Sequence, residues 1–234
     1  MIAAPPTVRQ GQRRRWDRFW AARPFHPQAR RSVAQPVTRE DRREQIFAVG
    51  ARLFARRGYE RTTLQDVADA LGVTKPAFYY YYRSKEDLLY EILSFSMDRV
   101  TEDIEAALAL DAPPEERVRE WIRRYVGFFT SHPNELTLLS TAVDAVGPER
   151  REELKARQRR YLAMARRLVA GVKDPGAGLD DTVTAFALLG MMNWIFQWYR
   201  PDGPVDPEAL ADHFYRIFVH GVAPRWETTR GGEP

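Results

Sequence analysis

The side chains that could do chemistry are concentrated in one short stretch, where Thr74 and Lys75 are followed by four consecutive tyrosines, Tyr79–Tyr82. Hydroxyl and ammonium groups of this kind donate hydrogen bonds to phosphates and to base edges. Four successive side chains on a helix cannot all point the same way. We therefore expect one or two tyrosines to pack inward and the others to carry their hydroxyl groups outward. The composition of this stretch favours contact with nucleic acid.

Other kinds of chemistry find little support in the sequence. The chain has no cysteine, and its four histidines are His26, His132, His213 and His220. His213 and His220 are seven residues apart and share a helix face, but no third ligand lies near them. There is no P-loop and no glycine-rich dinucleotide fingerprint. We therefore expect no enzymatic activity, no cofactor and no metal site.

Two short predicted helices position the Thr-Lys-Tyr stretch. Thr63 is a good N-cap residue for the first, with Asp66 at the position that completes a capping box. Apolar residues recur there at helical spacing: Leu64, Val67, Ala68 and Leu71. Gly72 ends this helix, where a left-handed residue is favoured. Thr74 is placed to cap the second helix, with Pro76 in its first turn. The spacing predicts a helix-turn-helix, whose second helix enters the DNA major groove.

Helices on both sides complete this unit. Arg39–Arg57 is predicted to be a helix that packs on the helix-turn-helix as the third member of a small bundle. Ser84 caps a long helix that runs to about Leu110, with Asp87 at its N3 position.

These residues carry a resemblance to a known family. The run GVTKPAFYYYYRSKEDLL (72–89), and Arg61–Leu64 before it, resemble the signature of the tetracycline-repressor (TetR) family of regulators. Pro76 stands where family members often have Gly or Ser, and Tyr81 where they often have His. The resemblance implies core positions for Phe78 and Tyr82.

The same resemblance implies the DNA contacts. Thr74, Lys75 and Tyr80 are expected to read bases, and Tyr79 and Lys85 to contact phosphates. The full set of candidate DNA-binding residues is Thr62, Thr63, Thr74, Lys75, Pro76, Tyr79, Tyr80 and Lys85.

The charge distribution agrees with DNA contact at the N-terminal side. The net charge of the 234-residue chain is +4, but residues 1–38 carry +7, residues 39–85 carry +4 and the remainder carries −7. Phosphate attraction would therefore concentrate near the helix-turn-helix. We expect residues 1–38 to be a disordered basic extension, either a solvated tail or an arm along the DNA. The lack of cysteine fits a reducing cytosol, and no apolar run is long enough for a membrane span.

The C-terminal part is predicted to be entirely helical. Its helices are expected at about 114–131, 134–146, 148–172, 180–200 and 207–221, and no alternating strand pattern appears. The helix at 180–200 is apolar nearly all round, so it must be covered on every side. The resemblance implies dimerisation through the last two helices, and a two-fold dimer matches a palindromic operator.

Aromatic residues and methionine in this part also suggest an apolar ligand cavity between helices. The candidate lining residues are Trp121, Tyr125, Phe128, Phe129, Leu139, Met192, Asn193 and Trp194. The segment from Asn193 to Val222 resembles the C-terminal end of TetR-family members that control fatty-acid or steroid breakdown and answer to CoA thioesters. This second resemblance implies an acyl-CoA effector. Five arginines of the 148–172 helix could meet its phosphates: Arg157, Arg159, Arg160, Arg166 and Arg167. The simpler interpretation of these arginines is a solvated helix face.

The sequence thus predicts an all-α, cytoplasmic, homodimeric DNA-binding regulator, more specifically a repressor released by a small apolar or acyl-CoA-type ligand. The predicted division is an extension at 1–38, a three-helix helix-turn-helix domain at 39–85, a helical ligand-binding and dimerisation domain at 86–222, and a disordered tail at 223–234. The helix from Ser84 would transmit ligand binding. Two alternatives stay open: a DNA-binding protein without sequence preference, and a small-molecule carrier or enzyme without a DNA function.

Overall fold

The computed structural model describes residues 39–173 and 178–220, and this part of the chain is helical, with no β-strand. In chain order the helices are α1 (Arg39–Arg57), α2 (Leu64–Leu71), α3 (Lys75–Tyr81), α4 (Lys85–Ala109), α5 (Pro114–Ser131), α6 (Pro133–Thr141), α7 (Pro148–Val172), α8 (Asp181–Asn193), α9 (Ile195–Trp198) and α10 (Pro207–His220). The all-α prediction is confirmed. The predicted N-terminal extension (1–38) and tail (223–234) lie outside the described residues.

The first three helices form the predicted helix-turn-helix unit. The Thr63 hydroxyl accepts a hydrogen bond from the Asp66 N–H at 3.1 Å, and the Thr63 N–H donates to the Asp66 carboxylate at 2.8 Å. This closed capping box fixes the start of α2. At the other end Gly72 has φ 67°, a left-handed conformation that glycine adopts without a Cβ penalty. The turn therefore follows from local sequence.

The start of α3 differs from the prediction in one respect. Thr74 occupies the N-cap position, but its hydroxyl group makes no capping hydrogen bond. An N-cap side chain bonds the N–H of the second or third helical residue, and because the second is Pro76, only the N–H of Ala77 could serve here. The Thr74 side chain is exposed, so its hydroxyl group remains available to an outside partner.

The long helix α4 joins the helix-turn-helix unit to the remaining helices. Ser84 and Asp87 form a second capping box at its start, as predicted. On one side α4 packs against α1, where the rings of Phe47 and Phe95 lie 5.4 Å apart. On the other it packs against α5 and α7, and α6 packs back onto α1. One continuous hydrophobic core therefore links the two units.

Two predicted C-terminal helices are shorter than expected. The helix predicted at 134–146 ends at Thr141 and is followed by a 3₁₀ turn, Val143–Ala145. The hydroxyl groups of Thr137 and Thr141 bond carbonyls one turn back, which weakens the end of a helix. The helix predicted at 180–200 is interrupted at Trp194, next to Asn193, whose side chain bonds another helix.

The bundle α5–α10 is held by packing of α10 on α5 and of α8 on α7. Within the described ranges, none of the helices combines the length and apolar character that crossing a membrane requires.

Candidate DNA-binding surface and ligand cavity

The recognition helix α3 divides its side chains between the core and the surface. Phe78 and Tyr82 are both 1% exposed, which confirms their predicted core positions. Tyr80 is the most exposed tyrosine of the run, at 56%. The exposed candidates at this surface are Thr74, Lys75, Pro76, Tyr79 and Tyr80. Five of the predicted residues therefore share one accessible surface around the start of α3.

Lys75 and Tyr79 lie one helical turn apart on this surface. The Lys75 ammonium nitrogen is 5.4 Å from the centre of the Tyr79 ring, within the range of a cation–π contact. The ring holds the ammonium group near the start of α3, the end that reaches base edges in a major groove.

Thr62 does not belong to this surface, because its side chain is buried. It is 1% exposed, and its hydroxyl group donates to the carbonyl oxygens of Gly58 at 2.9 Å and Leu53 at 3.3 Å. These carbonyls lie at the end of α1, where helices leave acceptors unpaired. Thr62 therefore joins α1 to α2, while its neighbour Thr63 is exposed.

Lys85 is also engaged within the protein. Its ammonium group donates to the carbonyl oxygens of Tyr59 at 3.0 Å and Glu60 at 3.2 Å, and lies 3.3 Å from the Glu60 carboxylate. It stands 4.4 Å from the centre of the Tyr59 ring. Because an ammonium group has three donors, these contacts occupy all of them. In this conformation Lys85 fixes the α1–α2 loop and has no donor left for a phosphate.

A cavity of about 500 Å³ lies between five helices of the C-terminal bundle. Its walls are mostly apolar, as is usual for small-molecule sites. The lining residues are Met97 and Val100 of α4, Tyr125 and Phe129 of α5, Leu136, Leu139 and Ser140 of α6, Lys155, Gln158, Arg159, Tyr161 and Leu162 of α7, and Phe186, Leu189 and Asn193 of α8.

Four of the eight predicted lining residues are in this wall: Tyr125, Phe129, Leu139 and Asn193. The other four lie elsewhere. Trp121 and Met192 are fully buried in the core, Phe128 stacks on His132 with ring centres 4.4 Å apart, and Trp194 is 60% exposed. Side-chain type could not separate these from true lining residues, because seven of the eight lie on helices that border the cavity and Trp194 directly follows one of them.

On the polar α7 side of the cavity, Arg159 was predicted from the sequence as a contact for ligand phosphates, whereas Lys155 and Gln158 were not predicted. Lys155, Gln158, Arg159 and Leu162 follow the i, i+3, i+4, i+7 spacing of one helix face. Charged positions of this kind usually face solvent. Only the helical spacing of these four residues could therefore have identified this face as part of the cavity wall. Lys155 pairs with Asp144 at 3.1 Å and Arg159 with Glu152 at 2.6 Å. Both cations are partly exposed, and an anionic ligand group could replace these acidic partners.

Two hydrogen bonds organise the opposite wall. The Tyr125 hydroxyl group donates to the side-chain carbonyl oxygen of Asn193, and both residues line the cavity. Burial raises the pKa of Tyr125 far above its usual value, so this hydroxyl group stays protonated and acts as a donor. Behind the wall the Trp121 indole N–H donates to the Tyr161 hydroxyl oxygen at 2.9 Å. Among the described residues, no group of three or more His, Asp or Glu side chains could hold a metal ion.

A helix-turn-helix with an exposed recognition helix, joined by one long helix to a bundle that contains a partly open cavity, defines a class of DNA-binding regulators with an effector domain. The comparisons with known proteins identify the family. Residues 46–92 match the family described as "Bacterial regulatory proteins, tetR family", and residues 111–222 match "Tetracyclin repressor-like, C-terminal domain". The chain belongs to the TetR family of transcriptional regulators.

Individual relatives agree. The HTH-type transcriptional repressor KstR2 of Rhodococcus jostii is 30% identical over 189 residues, covering 78% of this chain and 91% of the relative. A TetR-family regulator from Bordetella parapertussis is similar in structure, with TM-score 0.71 and 29% identity over 78% of this chain and 96% of the other. The structure of AibR in complex with isovaleryl coenzyme A and operator DNA is also similar, with TM-score 0.66 and 30% identity. The match covers 76% of this chain and 98% of the AibR chain.

Proposed function

We propose that this protein is a homodimeric repressor that binds a palindromic operator and is released when an acyl-CoA-type ligand enters the α4–α8 cavity. The protein acts by binding alone and catalyses no reaction. DNA binding is assigned to residues 39–85, and ligand binding with dimerisation to 86–222. The cavity is the observation that carries the proposal. Its walls are mostly apolar, its α7 side carries two cations, and α4 contributes residues to its wall.

The DNA-binding role rests on the exposed residues of α3. Thr74, Lys75 and Tyr80 are assigned to base edges and Tyr79 to a phosphate. The N-terminal end of the helix supplies the hydroxyl and ammonium donors that base edges accept. The positive charge of residues 39–85 and the negative charge of the following part orient the chain with α3 towards DNA.

The homodimer rests on exposed apolar side chains of the last helices. Large apolar residues exposed on α8, α9 and the segment between α8 and α10 are Val183, Phe186, Trp194, Trp198 and Val205, and Ile217 is exposed on α10. Soluble proteins rarely leave such residues grouped at the surface unless they form an interface. A two-fold contact through α8 and α10 would cover them and place two recognition helices on two half-sites.

The effector class rests on the amphipathic lining of the cavity. An acyl group matches the apolar walls, and the phosphates of a CoA moiety match Lys155 and Arg159 on the partly exposed α7 side. A ligand carbonyl that replaces Asn193 would accept the hydrogen bond of the Tyr125 hydroxyl group. AibR, which has a similar fold, was solved in complex with isovaleryl coenzyme A.

The release step rests on the position of α4. Met97 and Val100 of α4 line the cavity, and only three residues separate the start of this helix from the end of the recognition helix. A ligand that fits the cavity better after α4 has shifted favours that shifted state. In the dimer this changes the separation of the two recognition helices and lowers operator affinity.

Selection of binding sites from random DNA by the purified protein tests the DNA half. The proposal predicts enrichment of one two-fold symmetric sequence, and sedimentation of the protein as a dimer. Retention of all sequences equally, with a steep salt dependence, would replace it with a DNA-binding protein without sequence preference.

Isothermal titration calorimetry tests the effector half. The probes are isovaleryl-CoA, octanoyl-CoA, free octanoate and CoA itself. We expect acyl-CoA to bind, and we expect Lys155→Ala and Arg159→Ala to weaken that binding more than binding of free octanoate. Arg160→Ala is the matched control, because Arg160 lies on α7 but pairs with Glu105 and is absent from the cavity wall. Octanoate binding as tightly as octanoyl-CoA would contradict the CoA assignment.

A further inference from the structure

Arg150, in the first turn of α7, lies against the start of α4. Its Nη2 atom donates to Asp87 Oδ1 at 2.6 Å, and its Nη1 atom donates to Glu86 Oε1 at 3.3 Å. The same Glu86 oxygen accepts the backbone N–H of Gly147 at 3.0 Å. The guanidinium carbon lies 4.9 Å from the centre of the Tyr90 ring. We name this set of contacts the α4–α7 clasp.

Gly147 contributes its backbone N–H to the clasp. A Cβ atom at this position would lie 3.2 Å from Glu86 Oε1, so the end of the Glu86 side chain would have to shift by a few tenths of an ångström. The clasp is therefore built from both the Arg150 guanidinium group and a backbone N–H.

Asp87 belongs to the joint between the recognition helix and α4. Its second carboxylate oxygen accepts the Ser84 N–H at 3.1 Å, and its own N–H donates to the Ser84 hydroxyl group at 3.1 Å. This capping box stands three residues after α3 ends at Tyr81. One carboxylate thus fixes the turn between α3 and α4 with one oxygen and binds Arg150 with the other. Arg150 is attached to the joint that aims the recognition helix.

The helix that carries Arg150 also carries the polar wall of the cavity. Lys155, Gln158 and Arg159 lie on the same uninterrupted helix, Pro148–Val172. From Arg150 to Lys155 the helix rises about 7.5 Å, at about 1.5 Å per residue. A ligand that moves this segment of α7 moves Arg150 with it, because a helix segment of this length behaves as one body.

We propose that Arg150 is a positioning residue for DNA recognition, which sets the placement of the α3–α4 joint and carries the occupancy of the cavity to it. This proposal rests on the proposed function for its ligand. Only arginine has the planar fork that contacts two adjacent carboxylates at once, so lysine would not replace it fully. Partly exposed ion pairs contribute little to stability. The effect of removing the fork is therefore expected mainly in DNA binding, with a smaller effect on the unfolding transition.

The test compares Arg150→Gln with Arg151→Gln in the full-length protein. Arg151 is the matched control, because its contacts are to the Val146 carbonyl and Asp144, on the α6–α7 connection and not on α4. Three quantities are measured for each: operator affinity without ligand, isovaleryl-CoA affinity without DNA, and operator affinity with saturating isovaleryl-CoA. Coupling of this kind usually changes affinity by about 5–150-fold.

We expect Arg150→Gln to weaken operator binding without ligand and to leave the isovaleryl-CoA affinity unchanged. The ratio of operator affinity without ligand to operator affinity with saturating isovaleryl-CoA should fall towards one. Arg151→Gln should match the wild type in all three. Glu86→Gln is a second variant, which disturbs the clasp while the Ser84–Asp87 capping box stays intact. An Arg150→Gln protein with wild-type operator affinity and a wild-type ligand response would overturn the proposal.

Hydrogen exchange separates this proposal from the proposed function. If the wild type ignores isovaleryl-CoA or lacks an operator preference, the proposed function fails, but the clasp can still be examined. Faster exchange of the Ser84 and Asp87 amides in Arg150→Gln, and not in Arg151→Gln, would support the positioning role. Unchanged exchange at these amides would refute it.

Discussion

The indole N–H of Trp121 donates a hydrogen bond to the Tyr161 hydroxyl oxygen at 2.9 Å, and this bond connects α5 to α7 directly behind the cavity wall. Trp121 is fully buried and does not line the cavity, whereas Tyr161 does. Their rings meet edge to face with centres 6.3 Å apart. The pair therefore fixes how far α7, with its cationic face, stands from the apolar wall.

Tyr161→Phe tests this relationship. The change leaves the Trp121 N–H buried without a partner, and such a loss costs about 1–3 kcal/mol. Urea unfolding should show this decrease in the free energy of unfolding. Tyr90→Phe is the matched control, because the Tyr90 hydroxyl bonds Glu153 at an exposed site where water can replace it. Equal effects of the two substitutions would contradict the assigned role of the buried bond.

Thr62→Val tests whether Thr62 joins helices or contacts DNA. The substitution keeps the shape and removes the donor to the Gly58 and Leu53 carbonyl oxygens. We expect a loss of about 1 kcal/mol in the free energy of unfolding. The ratio of operator affinity to scrambled-DNA affinity should not change. A fall in that ratio with unaltered stability would restore Thr62 as a DNA contact.

Replacing the two lysines of the DNA-binding unit should affect DNA binding differently. Lys75→Gln removes an exposed ammonium group and is expected to cost roughly 1–3 kcal/mol on the operator if Lys75 reads a base. Lys85→Gln removes an ammonium group whose three donors are already bonded. It should lower stability and leave the slope of log affinity against log salt unchanged. A slope reduced by about 1 in Lys85→Gln would identify a phosphate contact.

The Asp87 carboxyl group should make stability depend on pH. Burial alone would raise the pKa of Asp87, but hydrogen bonds from Arg150 and Ser84 outweigh it, so the pKa lies below its usual value. Because the folded-state pKa is lowered, the ionised Asp87 carboxylate stabilises the protein at pH values above the unfolded pKa of about 3.9. This stabilisation is lost as the pH falls through the folded-state pKa.

The destabilisation caused by Asp87→Asn should therefore be complete at neutral pH and should shrink below about pH 4, near the unfolded carboxyl pKa. Urea unfolding at several pH values measures it. Asp111→Asn, at an exposed acid between α4 and α5, is the control and should have little effect throughout. A difference between wild type and Asp87→Asn that persists unchanged at low pH would contradict the charge-dependent role.

The helix-turn-helix could be predicted from sequence because its signals are local. The Thr63–Asp66 and Ser84–Asp87 boxes and the left-handed Gly72 each depend on residues a few positions apart. The intramolecular contacts of Thr62 and Lys85 could not be predicted, because their partners are backbone carbonyls around the end of α1 and the following loop, and no side-chain pattern marks a carbonyl group. Whether a threonine in a turn faces inward depends on tertiary geometry.

The cavity was only half predictable for a related reason. Aromatic richness indicated that one exists, but Trp121 and Tyr125 lie one turn apart on α5 and only Tyr125 reaches the void. The void is defined by five helices together. The interruption at Trp194 was likewise missed, since the uninterrupted apolar run favoured a continuous helix and the Tyr125–Asn193 bond joins residues distant in sequence.

The most direct measurement is fluorescence anisotropy of the purified protein on DNA from its own upstream region, with scrambled DNA as the comparison, at a physiological ionic strength of about 150 mM. Isovaleryl-CoA and octanoyl-CoA are added in parallel titrations, with CoA alone as the control. The account predicts a preference of ~10³-fold or more for the specific DNA, lost on addition of acyl-CoA and kept with CoA. Equal affinity for both DNAs would contradict this prediction if a sequence recovered by selection from random DNA also bound no more tightly than scrambled DNA.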